Sequence, residues 1–460
     1  MQELTKEISA TEKIITGFSD LAWGTPLLIL LLGGGLFFLI YSRLLPFRYF
    51  RHAVAILRGK YDDPDEPGQI NHYQALSTAL AATVGMGNIS GVALAIAMGG
   101  PGAIFWMWVS ALLGVTTKYF TCTLAVMYRG RDSRGELQGG PMYVIMEGLG
   151  KKWKPLAIFF SLMGMIGVLP MFQVNQLTQI VRDVVLIPNG VLAGFGTDLA
   201  SGLIVSVLVG LVIFGGIKRI GKVTGRMVPV MVVLYIVSVL IIIFTHAHRI
   251  LPSFALIFRD AFTAQSVLGG SLGALVITGV RRAAFSNEAG IGTAPMAHGA
   301  AKTNEPVREG LVAMLGPVVD TIIVCTMTAL ALIMTGVWNK GESDGITLTA
   351  NAFESALPGI GAYLLTLCVF VFSISTMLSF PYYGTKCYSF IFGAKSSYLY
   401  KWFYITTIPL GATATLGTVV GIFDGAYALM AFPTMISALL LSPKVIQASK
   451  DYFKRLKSGN

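Results

Sequence analysis

The sequence predicts an all-α integral membrane protein with about eleven transmembrane helices, one at the N-terminus followed by two sets of five. Three observations predict it. Hydrophobic residues make up 54% of the 460 and charged residues only 12%, against roughly a quarter charged in soluble domains. Apolar stretches long enough to cross a bilayer recur from residue 24 to residue 441. Lys and Arg collect in alternate connections between them. Stretches of this length cross as helices, not as barrel strands.

Residues 1–73 hold the extra span, near 24–45, and a connection carrying Arg48, Arg51, Arg58 and Lys60. The first residues carry Glu3, Glu7, Glu12 and Asp20 and lack the basic start and cleavage site of a signal peptide, so this span is expected to be retained. The first five-helix repeat, 74–247, has spans near 74–98, 102–128, 155–184, 189–215 and 226–247. Its basic groups are Arg129, Arg131, Arg134, Lys151, Lys152 and Lys154, then Lys218, Arg219, Lys222 and Arg226. The second repeat, 265–441, has spans near 265–297, 306–337, 359–392, 400–420 and 424–441, with Arg281, Arg282, Lys302 and Arg308, then Lys386, Lys395 and Lys401. A tail, 442–460, adds Lys444, Lys450, Lys454, Arg455 and Lys457. The intervening connections 185–190 and 338–358, with Glu342, Asp344 and Glu354, are poor in Lys and Arg. The N-terminus is therefore expected outside and the C-terminus in the cytoplasm, which requires an odd number of spans. The net charge of +11 is a topology signal with some lipid headgroup contact, not a nucleic-acid footprint. Residues 347–356, TLTANAFESA, suit a short outer helix acting as a lid. Phe105, Trp106 and Trp108 suit an interfacial belt. Cys122, Cys325, Cys368 and Cys387 lie in apolar spans without CxxC spacing and read as buried free thiols.

The first member of each repeat is unusual. Within ALAATVGMGNISGVALA at 79–95, Gly85, Gly87 and Gly91 surround Asn88, an amide that lipid cannot satisfy. Close helix packing explains glycines at Gly87 and Gly91, but it does not require an amide, so Asn88 favours a break lining a polar cavity. Where a helix breaks, the N–H groups that open its second half suit a carboxylate, and the carbonyls that end its first half suit a cation. Here those are the N–H groups from Gly85 through Met86 to Gly87 and the carbonyls near Ala81 and Val84. In the second repeat, 265–297 carries Gly269, Gly270, Gly273 and Gly279 before a strongly polar end, which places the matching interruption there. The two sets of five enter the membrane from opposite sides, the arrangement of an inverted repeat.

The stretch TALAATVGMGNISGVALAIAMGGPGAIFWMW, the LQGGPMYVI run at 137–145 and RRAAFSNEAGIGTAPMAHGAAKTNEPVREG at 281–310 closely resemble the alanine or glycine:cation symporter family, from about residue 20 to 440. The resemblance implies a sodium-coupled carrier of small neutral amino acids with the leucine-transporter type of 5+5 inverted repeat, two broken helices and one additional helix. VGMGN at 84–88 is similar to the VGLGN signature of bacterial leucine transporters, and VFSISTMLSF at 371–380 carries Ser375 and Thr376 where relatives have a hydroxyl pair. Carried over residue by residue, one sodium is implied at the carbonyls of Ala81, Val84 and Phe372 and the hydroxyls of Ser375 and Thr376. Asn88 stands where some relatives bind a second sodium. For the amino acid, the resemblance implies the second broken helix, with Gly273, Thr278 and Gly279, and the third core helix, MFQVNQLTQ at 171–179, with Phe172, Gln173 and Gln176. Hydrogen bonding between helices is the alternative use of each glutamine. No cofactor is implied beyond the coupling ion.

Lys118 and Asp320 each fall mid-span, where an unpaired charge is costly. They either pair across the two repeats, or Lys118 stands as a fixed charge and Asp320 bonds to hydroxyls or joins a cation site. Glu288 either gates the pathway with Arg281 or Arg282 or orders the loop around it. His246, His248 and His298 lie at span ends. An enzyme is the weakest reading, since HExxH is absent and the histidines lie at span edges. A channel normally assembles several few-span subunits, whereas one chain here builds both halves. Proton coupling remains the alternative to sodium.

Overall fold

Apolar runs become helices throughout, and the sharpest bends fall where glycine frees the backbone. The structure, a computed structural model, describes residues 10–263, 272–339 and 345–458. Glu3, Glu7, Gly269, Gly270, Glu342 and Asp344 lie outside these residues, as do the side chains of Lys218 and Lys222. Helices α1 (Ala10–Ala22) and α2 (Thr25–Tyr41) meet at a bend of 40°. After α3 (Phe50–Leu57), α4 (His72–Thr83) and α5 (Gly87–Gly99) are bent by 54°. Helix α6 (Gly102–Met127) leads through a hairpin, β1 (Gly130–Arg131) and β2 (Leu137–Gln138), into α7 (Lys151–Asn189), interrupted at 168–170. Helices α8 (Phe195–Ile213), α9 (Gly216–Thr245) and α10 (Ile250–Asp260) follow. The second half contains α11 (Leu272–Asn287), α12 (Thr293–His298), α13 (Pro306–Thr335), α14 (Gly345–Ala356), α15 (Gly361–Phe392), α16 (Tyr398–Thr413) and α17 (Leu416–Ser458).

Among the described residues seven helices are long and apolar enough to cross a membrane, and up to nine if each bent pair counts as one span. The chain is a multi-pass membrane protein. The shortfall from the expected number falls at 265–297, only part of which is described, and at α16, which has 16 residues. The short helix expected at 347–356 is present as α14. All four cysteines are buried and free. Trp106 Nε1 donates to Ala261 O at 3.1 Å and Trp108 Nε1 to Thr326 Oγ1 at 2.8 Å, while Phe105 packs edge-on against Phe258 and Phe262.

Two features depart from the sequence reading. Helix α1 is an unforeseen element that lies along the start of α17, where Gly421 faces Ile15 and Gly425 faces Phe18. Arg281 and Arg282 are not loop cations: both stand in α11 and bond to Asp424 of α17, and Arg282 is buried. A guanidinium pair inside a helix adds nothing to a loop-charge count, so the positive group there reduces to Lys302 and Arg308.

At the end of the molecule carrying the basic connections, the two halves are strapped together. Ile70 and Ala301 form a parallel bridge, Lys302 N–H donates to Ile70 O at 2.6 Å, and Gln69 N–H donates to Ala300 O at 2.8 Å. Arg129 adds bonds to Gly299 O at 2.8 Å and Thr303 O at 3.0 Å, and reaches Ala301 O as well. The ends of α4 and α12 on this side are thus joined through backbone, and their helices run side by side to the two breaks.

The turn before α12 depends on Gly292, at φ +114°, where a Cβ would lie 2.5 Å from Thr434 Oγ1 and 2.6 Å from Phe160 Cε2. A left-handed backbone costs an L-residue about 1–2 kcal/mol, and overpacking adds about 1–3 kcal/mol. Gly292→Ala is therefore expected to lower the detergent melting temperature sharply in fluorescence-detected size-exclusion chromatography. Gly190→Ala, at φ +79° with nothing within 4 Å, should lower it only slightly. Equal losses for the two variants would contradict the packing of this turn.

Candidate functional site

Helix α4 stops because Val84 takes an extended backbone, φ −73° and ψ 94°. Asn88 bridges the gap, its Oδ1 accepting the Gly85 N–H at 2.8 Å while Gly85 O accepts the Asn88 N–H at 3.1 Å. With the Gly85 N–H taken, Met86 and Gly87 supply the first-turn N–H groups that remain for an anion. Gly87 also serves packing: a Cβ there would lie 3.2 Å from both Phe285 Cδ1 and Ser286 Cα. The two uses of glycine weighed from sequence coincide in one residue.

Against this break α15 presents Phe372, Ser373, Ser375 and Thr376, all buried. Thr376 Oγ1 lies 3.3 Å from Ala81 O and 3.1 Å from Phe372 O. One hydroxyl hydrogen cannot satisfy both carbonyls. Ser375 Oγ has no hydrogen-bond partner among the described residues, although back-bonding to its own helix is the usual fate of such a serine. Of the five residues implied for one sodium, Ala81, Phe372 and Thr376 meet directly, Ser375 stands beside them, and Val84 ends α4 three residues past Ala81. Several oxygens sharing few hydrogens suit a hard cation without a buried carboxylate.

The second interruption is not at Gly273 to Gly279. Those residues lie within the regular helix α11, where Thr278 Oγ1 donates to Ala274 O at 2.9 Å and a Cβ on Gly279 would meet Trp106 Cβ at 2.5 Å. Gly279 allows close helix packing, and the Thr278 hydroxyl is spent on its own helix. The break falls at 288–292, where Glu288, Gly290 and Gly292 have φ of 55°, 85° and 114°. Glu288 is held at the break by Tyr427 Oη at 2.8 Å and by the Thr293 hydroxyl, so it orders the loop and does not pair with Arg281 or Arg282.

Asp320 of α13 sits between the breaks. Asn88 Nδ2 donates to its Oδ1 at 2.8 Å and its backbone oxygen at 3.1 Å, while Ser286 Oγ and Thr321 Oγ1 donate to Oδ2 at 2.6 and 2.9 Å. No ion pair joins Asp320 to Lys118 among the described residues; the Lys118 amine lies instead against Gly316, 3.1 Å from a Cβ built there. The hydroxyl alternative thus describes Asp320, and Asn88 spends its whole amide on Gly85, Ser286 and Asp320.

An aromatic wall closes the site on the side away from the basic connections. Phe172 meets Phe285 edge-on at 5.0 Å, and Phe285 meets Phe423 at 4.8 Å. Gln176 is not directed at the breaks: its Oε1 accepts from Ile346 N–H at 3.1 Å and from Ser90 Oγ, joining α5, α7 and α14. Gln173 is different, because its buried Oε1 has no partner among the described residues. Above the wall, Asp424 Oδ2 takes Arg281 Nε at 2.8 Å and Arg282 at 2.7 Å. At the basic end, Glu309 accepts from His298 Nδ1 at 2.5 Å and from His72 Nδ1. The sequence reading missed Ser286, Asp424, His72 and Glu309 as members of these groups. A charge within or beside an apolar span was signal enough for Asp424 and Glu309.

A sequence model described as the sodium:alanine symporter family matches residues 8–460. The chain is 40% identical to the sodium/alanine symporter AgcS of Methanococcus maripaludis over 95% of its own length and 96% of the relative's. It is 34% identical to the probable sodium/glutamine symporter GlnT of Bacillus subtilis strain 168, over 97% of this chain and 92% of that one. Among solved structures, that of MhsT in complex with L-phenylalanine shares the fold, with a TM-score of 0.54 at 11% identity, covering 83% of this chain and 98% of that one. With two broken helices and a matching family along nearly the whole sequence, the chain belongs to the sodium:alanine symporter family.

Proposed function

We propose that this chain, a secondary transporter of amino acids, carries alanine and glycine together with sodium by alternating access. The observation that carries this reading is the unbonded Ser375 hydroxyl next to Thr376, whose own hydroxyl reaches a carbonyl at the end of α4. One sodium binds there, between the carbonyls of Ala81, Val84 and Phe372 and the hydroxyls of Ser375 and Thr376. The amino acid carboxylate takes the N–H groups of Met86 and Gly87, and Gln173 Oε1 accepts from its ammonium. Phe172 and Phe285 limit the side chain. A missing methyl costs only about 1–3 kcal/mol, so a pocket that takes alanine also accepts glycine.

Topologically, residues 74–247 and 265–441 are inverted repeats, the N-terminus is outside, and the basic connections and tail face the cytoplasm. The aromatic wall and the Arg281, Arg282 and Asp424 group then close the outer side. A second cation binds at the Asp320 carboxylate with the hydroxyls of Ser286 and Thr321, and Asn88 positions that carboxylate. A buried carboxylate with no ion pair among the described residues supports proton coupling equally well, which is the second reading.

One charge moving through 100 mV is worth about 2.3 kcal/mol, enough for roughly 40-fold accumulation. Alanine uptake into proteoliposomes is expected to follow an imposed sodium gradient, and uptake that ignored sodium and followed a pH gradient would favour the proton reading.

Removing both hydroxyls, Ser375→Ala with Thr376→Ala, should weaken sodium activation of alanine binding by about tenfold to a hundredfold, since each lost ligand is worth about 0.5–1.5 kcal/mol. Binding should persist at high sodium through the backbone oxygens. An unchanged sodium dependence would exclude this ion site.

Asp320→Asn keeps the shape and removes the charge. It should reduce the charge moved per alanine in solid-supported-membrane recordings, whereas full charge movement would leave Asp320 with a structural role only.

A further inference from the structure

Helix α15 does more than supply hydroxyls. Thr376, Ser379, Tyr383 and Lys386 recur at spacings that place them on one face, and all four are buried. The stripe runs from the ion ligands toward the basic end, and at about 1.5 Å per residue Lys386 lies roughly 15 Å beyond Thr376. Tyr383 Oη has no hydrogen-bond partner among the described residues. Lys386 Nζ donates to Met296 O in α12 at 2.8 Å and sits 4.6 Å from the centre of the Tyr382 ring, with no carboxylate in ion-pair contact among the described residues.

Beside Lys386 a cavity of about 290 Å³ opens between α15 and the β1–β2 hairpin. Its lining includes Tyr382, Thr385 and Gln138. Thr385 Oγ1 and Gln138 Oε1 are buried without partners among the described residues, while Gln138 Nε2 donates to Asp132 Oδ2 at 3.1 Å. Asp132 and Glu136 also line the cavity, balanced in number by Arg134 and Lys401, so the lining carboxylates do not leave Lys386 in excess negative charge. The cavity therefore offers an amine without a counter-ion, a free hydroxyl, a free carbonyl oxygen and an aromatic face. These are the complements of the two charges of a zwitterion.

We infer that this cavity is a transit site for the amino acid, separate from the site between the broken helices and on its route to the basic end. Lys386 and Thr385 hold the carboxylate; Gln138 Oε1 and the Tyr382 ring receive the ammonium. Lys386 is also a direct hydrogen bond from α15 to α12, so a carboxylate that draws the amine away from Met296 O loosens α12 from α15 as the substrate passes. The inference rests on the amino-acid transport reading above.

The test uses the full chain in proteoliposomes and inside-out vesicles. Lys386→Met should lower sodium-driven alanine turnover by about tenfold or more, the worth of a charge-assisted hydrogen bond. Equilibrium alanine binding in saturating sodium should be retained, and Lys386→Arg should restore most of the turnover. In Thr385→Cys, alanine without sodium should slow labelling by an anionic methanethiosulfonate added from the basic side, and adding Lys386→Met should abolish that protection. Labelling indifferent to alanine, or wild-type turnover in Lys386→Met, overturns the transit site. Equal losses in Lys386→Met and Lys386→Arg with a lowered melting temperature overturn it in favour of a helix-capping role. Wild-type protein that binds no alanine in sodium removes the transport reading itself and the inference with it, whereas binding without Thr385→Cys protection removes the inference alone.

Discussion

A side-chain amide holds the centre of this molecule together. Asn88 closes the first break by accepting from Gly85 and reaches across to Ser286 and Asp320, so one residue of α5 ties α11 and α13 to the interrupted backbone. A broken helix inside a membrane exposes peptide groups that lipid cannot satisfy, each at a cost of several kcal/mol. The break is tolerated because other helices surround it and side chains take up the freed groups. The second break follows the same rule with different side chains: Asn287 Oδ1 accepts the Ala289 N–H at 2.9 Å and Thr434 Oγ1 donates to Ile291 O at 2.9 Å.

The two ends of the molecule are fastened differently. At the basic end, the bridge between Ile70 and Ala301 and the bonds of His72 and His298 to Glu309 join α4, α12 and α13 to one another. At the other end α11 is fastened to α17, through Arg281, Arg282 and Asp424 and through the rings of Phe285 and Phe423. Helix α15 is held more lightly, by the Thr376 hydroxyl at Ala81 O and the Lys386 amine at Met296 O among its polar contacts to the broken helices. In the proposed cycle the half-helices α4 and α12 move as a pair, because their mutual fastening is backbone and buried charge. Sodium then acts at the lighter contact, joining α15 to the end of α4 and biasing which end of the molecule is closed.

Much of this was legible in the sequence where composition is extreme. The spans, the first break and the hydroxyl pair of α15 follow from apolar length, from glycines around an amide and from the resemblance. The second break was misplaced because glycine count was taken as its signal. In α11 Gly279 serves contact with α6, and the interruption falls on the SNEAGIG segment, where residues 288–292 hold three positive φ angles. Arg281 and Arg282 were assigned to a loop because a loop-charge rule cannot tell a helix-buried guanidinium from a solvated one. Asp424 was their unseen partner, 142 residues from Arg282, and no local pattern joins residues so far apart. Lys118 and Asp320 were each rightly singled out as costly charges, but hydroxyls and an amide satisfy the carboxylate where an ion pair had been one of the options.

The central claim is that the ends of one broken helix bind sodium and amino acid as neighbours, so each must strengthen the other by the same factor. Isothermal titration of the purified protein in nanodiscs measures this directly, with alanine titrated at a series of sodium concentrations and sodium titrated with and without alanine. A reciprocal gain of about tenfold or more in both directions is predicted. Equal alanine affinity with and without sodium, at constant ionic strength, would contradict it.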